Sequence, residues 1–473
     1  MTININTYVK KIILDQLTPV SIYLKIRERF SESILLESAD YQEEGINSFT
    51  FISFDPIAEF RVNNKKISKI IPNKNTEDLE FKDRKEVVKE FNKFIDSFNH
   101  SIDPEFKFLN IGVYGYTAYD AISHFEDIEL KSEKDIEIDF PELLYRFYKY
   151  TIAINHHTKE FYLIYNQEES SQANPEKELD EIIILIKKAS EKEGRFTLKG
   201  EESSNFTDEE YLKVVDQCKQ HVFRGDVFQI VPSRRFYQSF DGDDFNVYRA
   251  LRSVNPSPYL FYFDCGDFRI FGSSPEAELI VQNNKATIHP IAGTCPRTGD
   301  EEKDQDLINK LKADPKENSE HVMLVDLARN DLSKHCTDVH LESYKEIHKY
   351  SHVMHLVSKV TGSINAGKNI VELLADTFPA GTLTGAPKYR AMELIDTYET
   401  CKRLFYGGAI GHLGFNGSCN HAIIIRSFLS YKDKLIRQAG GGVVADSVPE
   451  SEVLEVKNKL GALKKALSIA ESL

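Results

Sequence analysis

The sequence has few cysteines, no long apolar run and no basic stripe, and each absence argues against a class of protein. Six cysteines are scattered over 473 residues without a CxxC pair, which indicates reduced thiols and a cytoplasmic protein. No run approaches the roughly 18 apolar residues that a membrane-spanning helix needs, and the N-terminus lacks a signal-peptide pattern. We therefore expect no membrane partner.

The net charge also limits the possible partners. It is −15, which argues against binding of a nucleic acid. An anionic small substrate stays possible, because local arginines and backbone N–H groups can override the net charge.

The length predicts one large domain and a smaller one that share an interface. Up to residue 165, short apolar runs such as 48–54 and 160–166 alternate with turn residues, as in the strands of an α+β domain. Residues 176–194 predict a helix, and the polar stretch 193–205 predicts a linker. We therefore divide the chain into a domain of residues 1–165, a helix and linker (166–205) and a domain of residues 206–473. No internal repeat is present.

A capping box marks the start of the third part. The Thr207 hydroxyl can cap a helix whose Glu210 carboxylate bonds back to the first residue. The helix is predicted to end at Arg224, because Gly225 can adopt the left-handed conformation that stops it. A buried strand is expected at residues 227–231.

Two acidic helices are the first candidates for chemistry. In 315–331, after the cap Asp314 and the helix-starting Pro315, Glu317 and Glu320 share one helix face with leucines. Buried carboxylates need a partner, and a hard cation is one solution. Taken alone, a solvated or salt-bridged pair is the simpler interpretation.

The second acidic helix starts near Pro449 and places Glu452, Glu455 and Lys459 on one face. An ordinary acidic first turn, favoured by the helix dipole, is the simpler interpretation of this helix alone. Together, the two helices could supply the oxygen ligands that Mg2+ prefers.

A glycine run and a lone arginine suggest anion binding. Gly440, Gly441 and Gly442 follow a predicted strand, and their N–H groups could converge on an anion, although a tight turn explains them equally well. Arg426 interrupts the apolar strand 422–429, where it could bind a substrate carboxylate or form an internal salt bridge.

The remaining candidates are weak when taken one at a time. His355 lies in an apolar run, where a core histidine is the commoner case. Thr382 and Thr384 lie in a small-residue turn before a helix, and 271–279 and 289–297 are turns beside strands.

Together, these segments resemble the chorismate-utilising enzymes, and among them most closely the anthranilate synthase large subunits. The matching runs follow the order of the family and cover nearly all of residues 205–465. They are GDVFQIVPSRRF (225–236), FGSSPEAEL (271–279), HPIAGT (289–294), KENSEHVMLVDLARNDL (316–332), YSHVMHLVSKVTG (350–362), GTLTGAPKYRAMELI (381–395), YGGAIGHL (406–413), IIIRS (423–427), QAGGGVVADSVPESE (438–452) and EVKNK (455–459). ILLESAD (34–40), SFDP (53–56) and GVYGYTAYDAI (112–122) match the N-terminal domain of the family.

The resemblance implies an α+β fold, a four-layer αββα sandwich with two packed, largely antiparallel sheets. It implies that residues 1–165 form a regulatory domain with half of a tryptophan site, and that residues 206–473 form the chorismate-binding catalytic domain. The implied Mg2+ ligands are Glu320 and Glu455, supported by Glu317 and Glu452. The implied substrate contacts are Gly293, Thr294, Tyr406, Arg426, Gly440, Gly441, Gly442 and Lys459.

The same resemblance implies the catalytic groups and the reaction. Glu276 matches an acid that protonates the leaving ring hydroxyl, and His355 matches a histidine of the pyruvate-elimination step; Glu317 and Thr382 complete the expected set. The implied enzyme is a cytoplasmic lyase in which ammonia attacks C2 of chorismate, the C4 hydroxyl leaves and pyruvate is expelled to give anthranilate. No nucleophilic-cysteine glutaminase segment is present, so ammonia is expected from a separate glutamine amidotransferase subunit.

Two positions discriminate within the family. Ala292 replaces the lysine of aminodeoxychorismate synthases, and Gln229 replaces the water-activating lysine of isochorismate and salicylate synthases. External ammonia is therefore the expected nucleophile. An aminodeoxyisochorismate synthase is the runner-up, ahead of an aminodeoxychorismate synthase, and a catalytically idle tryptophan-sensing homologue is a further alternative. Cys295 and Gly441 depart from the usual arginine and alanine of the family.

Feedback inhibition by tryptophan is the last implication. It rests on Glu37 and Ser38 in one segment, and on Asn255, Pro258 and Tyr259 in another. In the resembling enzymes these two segments meet and hold the amino acid. Taken separately, the simpler interpretation is that the first segment ends a strand and the second forms a turn.

Overall fold

The computed structural model describes residues 2–38, 49–72, 74, 76–130, 138–190, 194–350 and 353–473. Residue 48 of a predicted strand, residues 191–193 of the predicted helix and linker, and residues 39–40 and 351–352 of two matching motifs lie outside the described residues. The helices of the described part are α1 (Pro19–Arg27), α2 (Lys85–Asp96), α3 (Pro175–Lys188), α4 (Asp208–Arg224), α5 (Phe245–Val254), α6 (Glu301–Ala313), α7 (Pro315–Ser333), α8 (Ile370–Thr377), α9 (Gly381–Thr384), α10 (Lys388–Tyr398), α11 (Pro449–Lys459) and α12 (Gly461–Ala470), with 3-10 turns at Pro104–Leu109 and Tyr119–His124.

The strands of the described part alternate with these helices without a regular βαβ repeat. They are β1 (Ile3–Ile12), β2 (Ile34–Glu37), β3 (Phe49–Asn63), β4 (Lys66–Ile70), β5 (Glu77–Glu80), β6 (Phe98–Ile102), β7 (Gly112–Thr117), β8 (Leu143–Asn155), β9 (Glu160–Glu168), β10 (Phe196–Ser204), β11 (Gln229–Ile230), β12 (Ser233–Gly242), β13 (Tyr259–Asp264), β14 (Phe268–Ser274), β15 (Ala277–Gln282), β16 (Lys285–Ile288), β17 (Ile291–Pro296), β18 (Cys336–Lys349), β19 (Val353–Ile364), β20 (Gly385–Ala386), β21 (Ala409–Gly414), β22 (Cys419–Ile423), β23 (Ser427–Tyr431) and β24 (Lys434–Gly440).

Two sheets share the long strands β3 and β8. The first sheet runs in the order β6-β1-β9-β8-β3-β2-β13-β14-β23-β24-β12-β10. The second runs in the order β5-β4-β3-β8-β7-β21-β22-β15-β16-β19, and β19 also pairs with β17 and β18. Among the described strands of these sheets, only β1 and β6 pair in parallel. The predicted α+β fold with largely antiparallel sheets is confirmed.

Side chains on successive strand residues divide the core into layers. Ile34 packs between the two sheets, whereas the next residue, Leu35, packs against the helices that cover the first sheet, as expected when side chains alternate. The outer helices of the first sheet are α1, α3, α4, α5, α10, α11 and α12. Those of the second sheet include α2, α7 and α8. The order is therefore helix, sheet, sheet, helix.

Several local predictions are confirmed. The Thr207 hydroxyl accepts a hydrogen bond from the Glu210 N–H at 3.2 Å, and the Glu210 carboxylate accepts one from the Thr207 N–H at 2.8 Å. α4 ends at Arg224, with Gly225 at φ 80°. Pro315 and Pro449 each start a helix. Apart from these predictions, all six cysteines are buried free thiols. No described helix is long and apolar enough to span a membrane.

Three local predictions are wrong. The predicted linker contains β10, an edge strand whose exposed side chains gave it the composition of a loop. The single strand predicted at residues 422–429 is two strands, because Arg426 between them adopts a φ of 52° that interrupts the ladder. The strand expected at residues 227–231 is reduced to β11.

The proposed division into domains remains a prediction, but hydrogen-bonded strands cross it. β2 pairs with β13, and β7 pairs with β21, so the N-terminal strands complete both sheets. In the described part of the chain, both sheets therefore contain strands from both sides of the division.

A fully buried ion pair between Arg403 and Glu399 connects segments of the second half of the chain. The Arg403 Nη2 atom lies 2.6 Å from the Glu399 Oε1 atom, and both side chains are at most 3% exposed. Arg403 also donates to the carbonyls of Leu383 at 2.7 Å and Val231 at 2.6 Å. The Glu399 carboxylate accepts from the backbone N–H and the hydroxyl of Ser233. Because both charges are solvated by fixed partners, removal of one leaves the other uncompensated.

We expect Glu399→Gln to lower the free energy of unfolding by about 3–5 kcal/mol, because it leaves the buried Arg403 charge without its counterion. Denaturant unfolding followed by circular dichroism measures the change. The matched control is Glu393→Gln on the same helix, which breaks an exposed pair with Arg390. An exposed pair is worth about 1 kcal/mol or less. Equal effects of the two substitutions would contradict the prediction.

Candidate active site

The first turns of α7 carry two of the predicted acidic residues. The Asp314 carboxylate caps the helix by accepting from the N–H groups of Lys316 at 2.8 Å and Glu317 at 3.2 Å. Glu317 and Glu320 are half-buried on the helix face that also carries the buried Leu324. Burial, and then the charge of Glu320, raise the pKa of Glu317. The helix start therefore concentrates negative charge in a partly desolvated place.

α11 brings the other acids to the same place. The charge of Glu455 contributes to the raised pKa of Glu317 on α7. Glu452 is 2% exposed, and its Oε2 atom has no hydrogen-bond partner among the described residues. Burial, and then the nearby Glu455, raise the pKa of Glu452. The Lys459 ammonium lies 2.7 Å from the Glu455 Oε1 atom and offsets part of this charge.

These acids could bind a hard cation if water or substrate supplies the remaining ligands. Carboxylate oxygens are the ligands Mg2+ prefers, and the Glu452 Oε2 atom is buried without a hydrogen-bond partner among the described residues, so it could accept from a water molecule bound to such an ion. No cluster of three or more acidic, histidine or cysteine side chains suited to one ion is present in the described part of the chain. Glu320 and Glu455 could therefore each supply a ligand, with water or substrate oxygens completing the shell, as is usual for Mg2+.

The glycine run packs directly on these acids. A Cβ atom on Gly441 would lie 2.7 Å from the Glu452 Oε2 atom, and one on Gly442 would lie 2.4 Å from the Gln229 Nε2 atom. Gln229 in turn donates to the Glu320 Oε1 atom at 2.7 Å. Neither Gly441 nor Gly442 donates its backbone N–H to another described residue. Two N–H groups are therefore available to an anion beside the acids.

Gly440 connects this run to a lysine and a tyrosine. Its carbonyl accepts from the Lys459 ammonium at 2.8 Å. Its N–H donates to the hydroxyl of Tyr406, a residue that is 3% exposed and whose pKa burial raises to about 12. The hydroxyl therefore stays protonated and can donate to a ligand.

Arg426 lies at the break between β22 and β23. No described residue accepts a hydrogen bond from its guanidinium or forms an ion pair with it. Burial lowers the pKa of Arg426. The nearby Tyr406, Glu455 and Glu276 partly offset this effect. A guanidinium at this position, near the glycine run, has the geometry to bind a carboxylate in a bidentate manner.

Glu276 provides an acid that is protonated near neutral pH. The side chain is 8% exposed, and burial raises its pKa to about 8. The Thr382 hydroxyl donates to the Glu276 Oε1 atom at 3.0 Å, and the charges of Lys459 and Arg426 limit the rise. A carboxylic acid with this pKa can donate a proton in catalysis at physiological pH.

His355 and the turn at residue 293 form the opposite side of the site. The Thr294 hydroxyl lies 2.9 Å from the His355 Nδ1 atom, and burial lowers the pKa of His355 to about 4, so the ring is neutral. Gly293 has a φ of 78°, and a Cβ atom there would lie 3.1 Å from the Glu317 Oε2 atom. The turn therefore approaches α7 closely.

Comparison with known proteins identifies the family of this chain. The chain matches the family of chorismate binding enzymes over residues 31–465. The chain belongs to the chorismate binding enzymes. It is 37% identical over 474 residues to anthranilate synthase component 1 of Aquifex aeolicus (strain VF5), covering 98% of this chain and 94% of that one. It is also 37% identical to the same component of Acetivibrio thermocellus, covering 99% and 96%.

Solved structures of chorismate binding enzymes share the fold. Anthranilate synthase component I from Streptococcus pneumoniae TIGR4 superposes with a TM-score of 0.78 at 29% identity, covering 96% of this chain and 99% of that one. MenF, the menaquinone-specific isochorismate synthase from Escherichia coli, has a TM-score of 0.74 at 17% identity and supports the fold alone.

The two segments of the predicted tryptophan site also lie side by side. Glu37 at the end of β2 is in register with Leu260 of β13, so Glu37 and Ser38 adjoin the strand that Pro258 and Tyr259 begin. The Glu37 carboxylate accepts from the Tyr248 hydroxyl at 2.7 Å and from the Arg252 Nε atom at 2.8 Å. Asn255 ends the helix that carries Tyr248 and Arg252.

Two residues beside this candidate site were not predicted in those roles. Sequence reasoning used Gln229 only to discriminate between relatives, and its bond to Glu320 was missed. Glu278, buried two residues beyond Glu276, was missed altogether. Its signal was available, because Glu278 is an acid within the largely apolar run AELIV (277–281).

We expect Gly442→Ala to weaken chorismate binding by roughly ten- to hundredfold, because the added methyl group displaces the Gln229 amide that positions Glu320. Isothermal titration calorimetry measures the affinity. The control is Gly461→Ala, whose Cβ atom meets nothing within 4 Å. Parent-like affinity of Gly442→Ala would show that the close packing has no role in binding.

Proposed function

We propose that the chain is the chorismate-converting component of an anthranilate synthase, a lyase that forms anthranilate and pyruvate from chorismate and ammonia. The observation that carries the proposal is the likeness to component 1 relatives along almost the whole chain, at about the same identity in several organisms. The convergence of the predicted site residues supports it. We propose a cytoplasmic location because all six cysteines are free thiols.

Each side chain has a defined task in this chemistry. Arg426, the Tyr406 hydroxyl and the N–H groups of Gly441 and Gly442 would hold the substrate carboxylates. Thr294 and Lys459 border the same space. A Mg2+ ion, when bound at Glu320 and Glu455, would neutralise a substrate carboxylate and fix the ring.

The proton transfers fall to two residues with opposite shifts of pKa. Glu276 is protonated at neutral pH and would give its proton to the leaving C4 hydroxyl, with Thr382 fixing its carboxyl group. His355 is neutral at the same pH and would accept a proton during elimination of pyruvate, with Thr294 holding the ring. The separation of the two pKa values supports Glu276 as the acid and His355 as the base.

Ammonia is the proposed nucleophile, and a second subunit its source. Position 292 is alanine and position 229 is glutamine, so neither lysine of the related synthases is present. The relatives are named component 1 of their enzyme, which fits a partner that supplies ammonia. We propose that this partner is a glutamine amidotransferase. An aminodeoxyisochorismate or aminodeoxychorismate synthase is less supported, because the relatives compared above are anthranilate synthase components.

We expect the isolated chain to convert chorismate to anthranilate and pyruvate when given Mg2+ and ammonium. Anthranilate fluorescence and coupled reduction of pyruvate measure the two products. Chelation should abolish turnover, because the acids and the dianionic substrate repel each other without a cation. Glu320→Gln should lose orders of magnitude in activity for the same reason.

The matched control is Asp326→Asn on the exposed side of α7, where the carboxylate only pairs with Arg329. It should keep parent activity. A product that retains the enolpyruvyl group would contradict the proposed reaction, and full turnover in excess chelator would contradict the metal site. Glutamine-dependent turnover by the isolated chain would contradict a separate amidotransferase.

We also propose that tryptophan inhibits the enzyme at the junction of β2 and β13. Glu37 offers a carboxylate for the amino group of tryptophan, and Pro258 and Tyr259 offer an apolar wall for the indole ring. The pairing of Glu37 with Leu260 brings these groups together and supports the proposal.

A short path of hydrogen bonds leads from this junction towards the substrate site. The Asn255 amide lies 3.4 Å from the carbonyl of Ser273, and the Ser273 N–H donates to the carbonyl of Arg426 at 3.1 Å. A shift of Asn255 on tryptophan binding would reach the backbone of Arg426. Inhibition would follow if tryptophan prefers an arrangement that binds chorismate poorly.

We expect tryptophan to bind more weakly when chorismate and Mg2+ are present, because the coupling between two sites is reciprocal. Calorimetry with and without substrate measures this effect. Ser38→Phe should abolish tryptophan binding by filling the junction and keep turnover. Ser38→Ala, which preserves the space, should bind tryptophan at most several-fold more weakly, because one hydrogen bond is worth about 1 kcal/mol. A parent chain that does not bind tryptophan would contradict the site.

A further inference from the structure

A small cavity lies behind the acid Glu276, on the side towards the helices of the second sheet. Its volume is about 40 Å³. A cavity needs about 10–15 Å³ to hold one water molecule, so this one admits a few molecules of that size and excludes chorismate. Its lining includes Glu276, Glu278, His289, Asp331, Thr382 and the apolar wall formed by Ile288 and Leu324.

Glu278 faces this cavity without a partner. It lies on β15, two residues beyond Glu276, and both residues line the cavity. The residue is 4% exposed, and no described residue donates a hydrogen bond to its carboxyl group. Burial raises the pKa of Glu278 to about 8, close to that of Glu276. A buried carboxyl group without a hydrogen-bond partner lowers the stability of the folded protein. If the residue served packing alone, an apolar side chain would be more stable at this position.

Glu278 does not form an ion pair with any cation in the described part of the chain. Lys388 of α10 is the nearest cation, but its ammonium lies 2.8 Å from the Asp331 Oδ2 atom of α7 and donates to the Thr377 carbonyl at 2.8 Å. Lys388 lies beyond ion-pair distance of Glu278 and lowers its pKa only from a distance.

The other titratable groups leave Glu278 and Glu276 as the two acids without a counterion. His289, beside the end of β16, has its pKa lowered to about 4 by burial, so it is neutral. The thiol of Cys419 on β22 has its pKa raised by burial and is also neutral. On the far side of Glu276, Lys459 and Arg426 face the substrate site.

We propose that Glu278 is a positioning residue for Glu276, to which it passes a proton through water held in the cavity. Two carboxyl groups in one desolvated space cannot both ionise readily, and with pKa values of about 8 each holds a proton at neutral pH before the transfer. When Glu276 gives its proton to the leaving hydroxyl, an O–H bond of Glu278 breaks and an O–H bond forms on Glu276. The leaving group departs as water, and the pair is left with one proton fewer until the next proton arrives.

The proposal rests on the role of Glu276 in the proposed function and has its own readout. The rate at saturating chorismate, Mg2+ and free ammonia is measured against pH for the parent and for Glu278→Gln. The parent should lose activity as pH rises and the acid ionises. In Glu278→Gln, Glu276 no longer receives a proton from a second carboxyl group, so this alkaline limb should move to lower pH by about one unit or more.

Two variants separate a proton-transfer role from a structural one. Glu278→Asp keeps a carboxyl group and should restore most of the position of the limb. Ile288→Val alters the cavity wall without a titrating group and should leave the limb where the parent has it. A Glu278→Gln enzyme that is uniformly slower with an unmoved limb would overturn the proposal and leave the function intact.

An infrared titration of the parent protein tests the same idea independently of the stability of the variants. In the parent, a carboxylic acid band should persist at a pH where exposed carboxyl groups are ionised. The band should weaken in Glu278→Gln. In Glu278→Asp it should have the intensity of the parent. Absence of this band from the parent at neutral pH would also overturn the proposal. A parent that forms no anthranilate, by contrast, would contradict the proposed function itself.

Discussion

The buried guanidinium of Arg403 holds together segments that are far apart in the sequence. Its bonds to Glu399 and to the carbonyls of Leu383 and Val231 tie the end of α10 to the turns that carry Thr382 and Gln229. Its positive face also lies 4.6 Å from the ring centre of Tyr119 and 5.6 Å from that of Tyr406. One charge therefore sets the positions of the acid's partner, the residue that supports Glu320 and a tyrosine of the anion site.

The site around this anchor places opposite charges close together without neutralising them. Glu317 of α7 and Glu452 of α11 lie in the first turns of their helices, where the helix dipole favours negative charge. Lys459 and Arg426 approach from the glycine side, yet the oxygen of Glu452 and the fork of Arg426 stay unpaired among the described residues. Such unpaired groups cost stability in the free protein, and a ligand that satisfies both recovers that cost on binding.

Sequence reasoning succeeded where local chemistry decides the structure. The capping box at Thr207, the helix starts at Pro315 and Pro449 and the spacing of the acids depend on neighbours within one or two turns. It failed where distant contacts decide. β10 is a strand only because β12 lies beside it, and the break at Arg426 serves a turn between two sheet strands. The role proposed for Glu278 depends on a cavity that forms only when α7 and α9 pack beside it, and local sequence does not show such packing.

The sharing of strands between the two ends of the chain limits how the protein can be shortened or assembled. A fragment that begins near residue 206 would lose β2 and β7, so β13 and β21 would each present a row of unpaired backbone groups on their outer side. Exposed edges of this kind pair with other chains, and such a fragment should aggregate. The same pairing makes translation order matter, because β13 emerges from the ribosome after β2 and can complete the sheet at once, whereas β7 must wait for β21 near the end of synthesis.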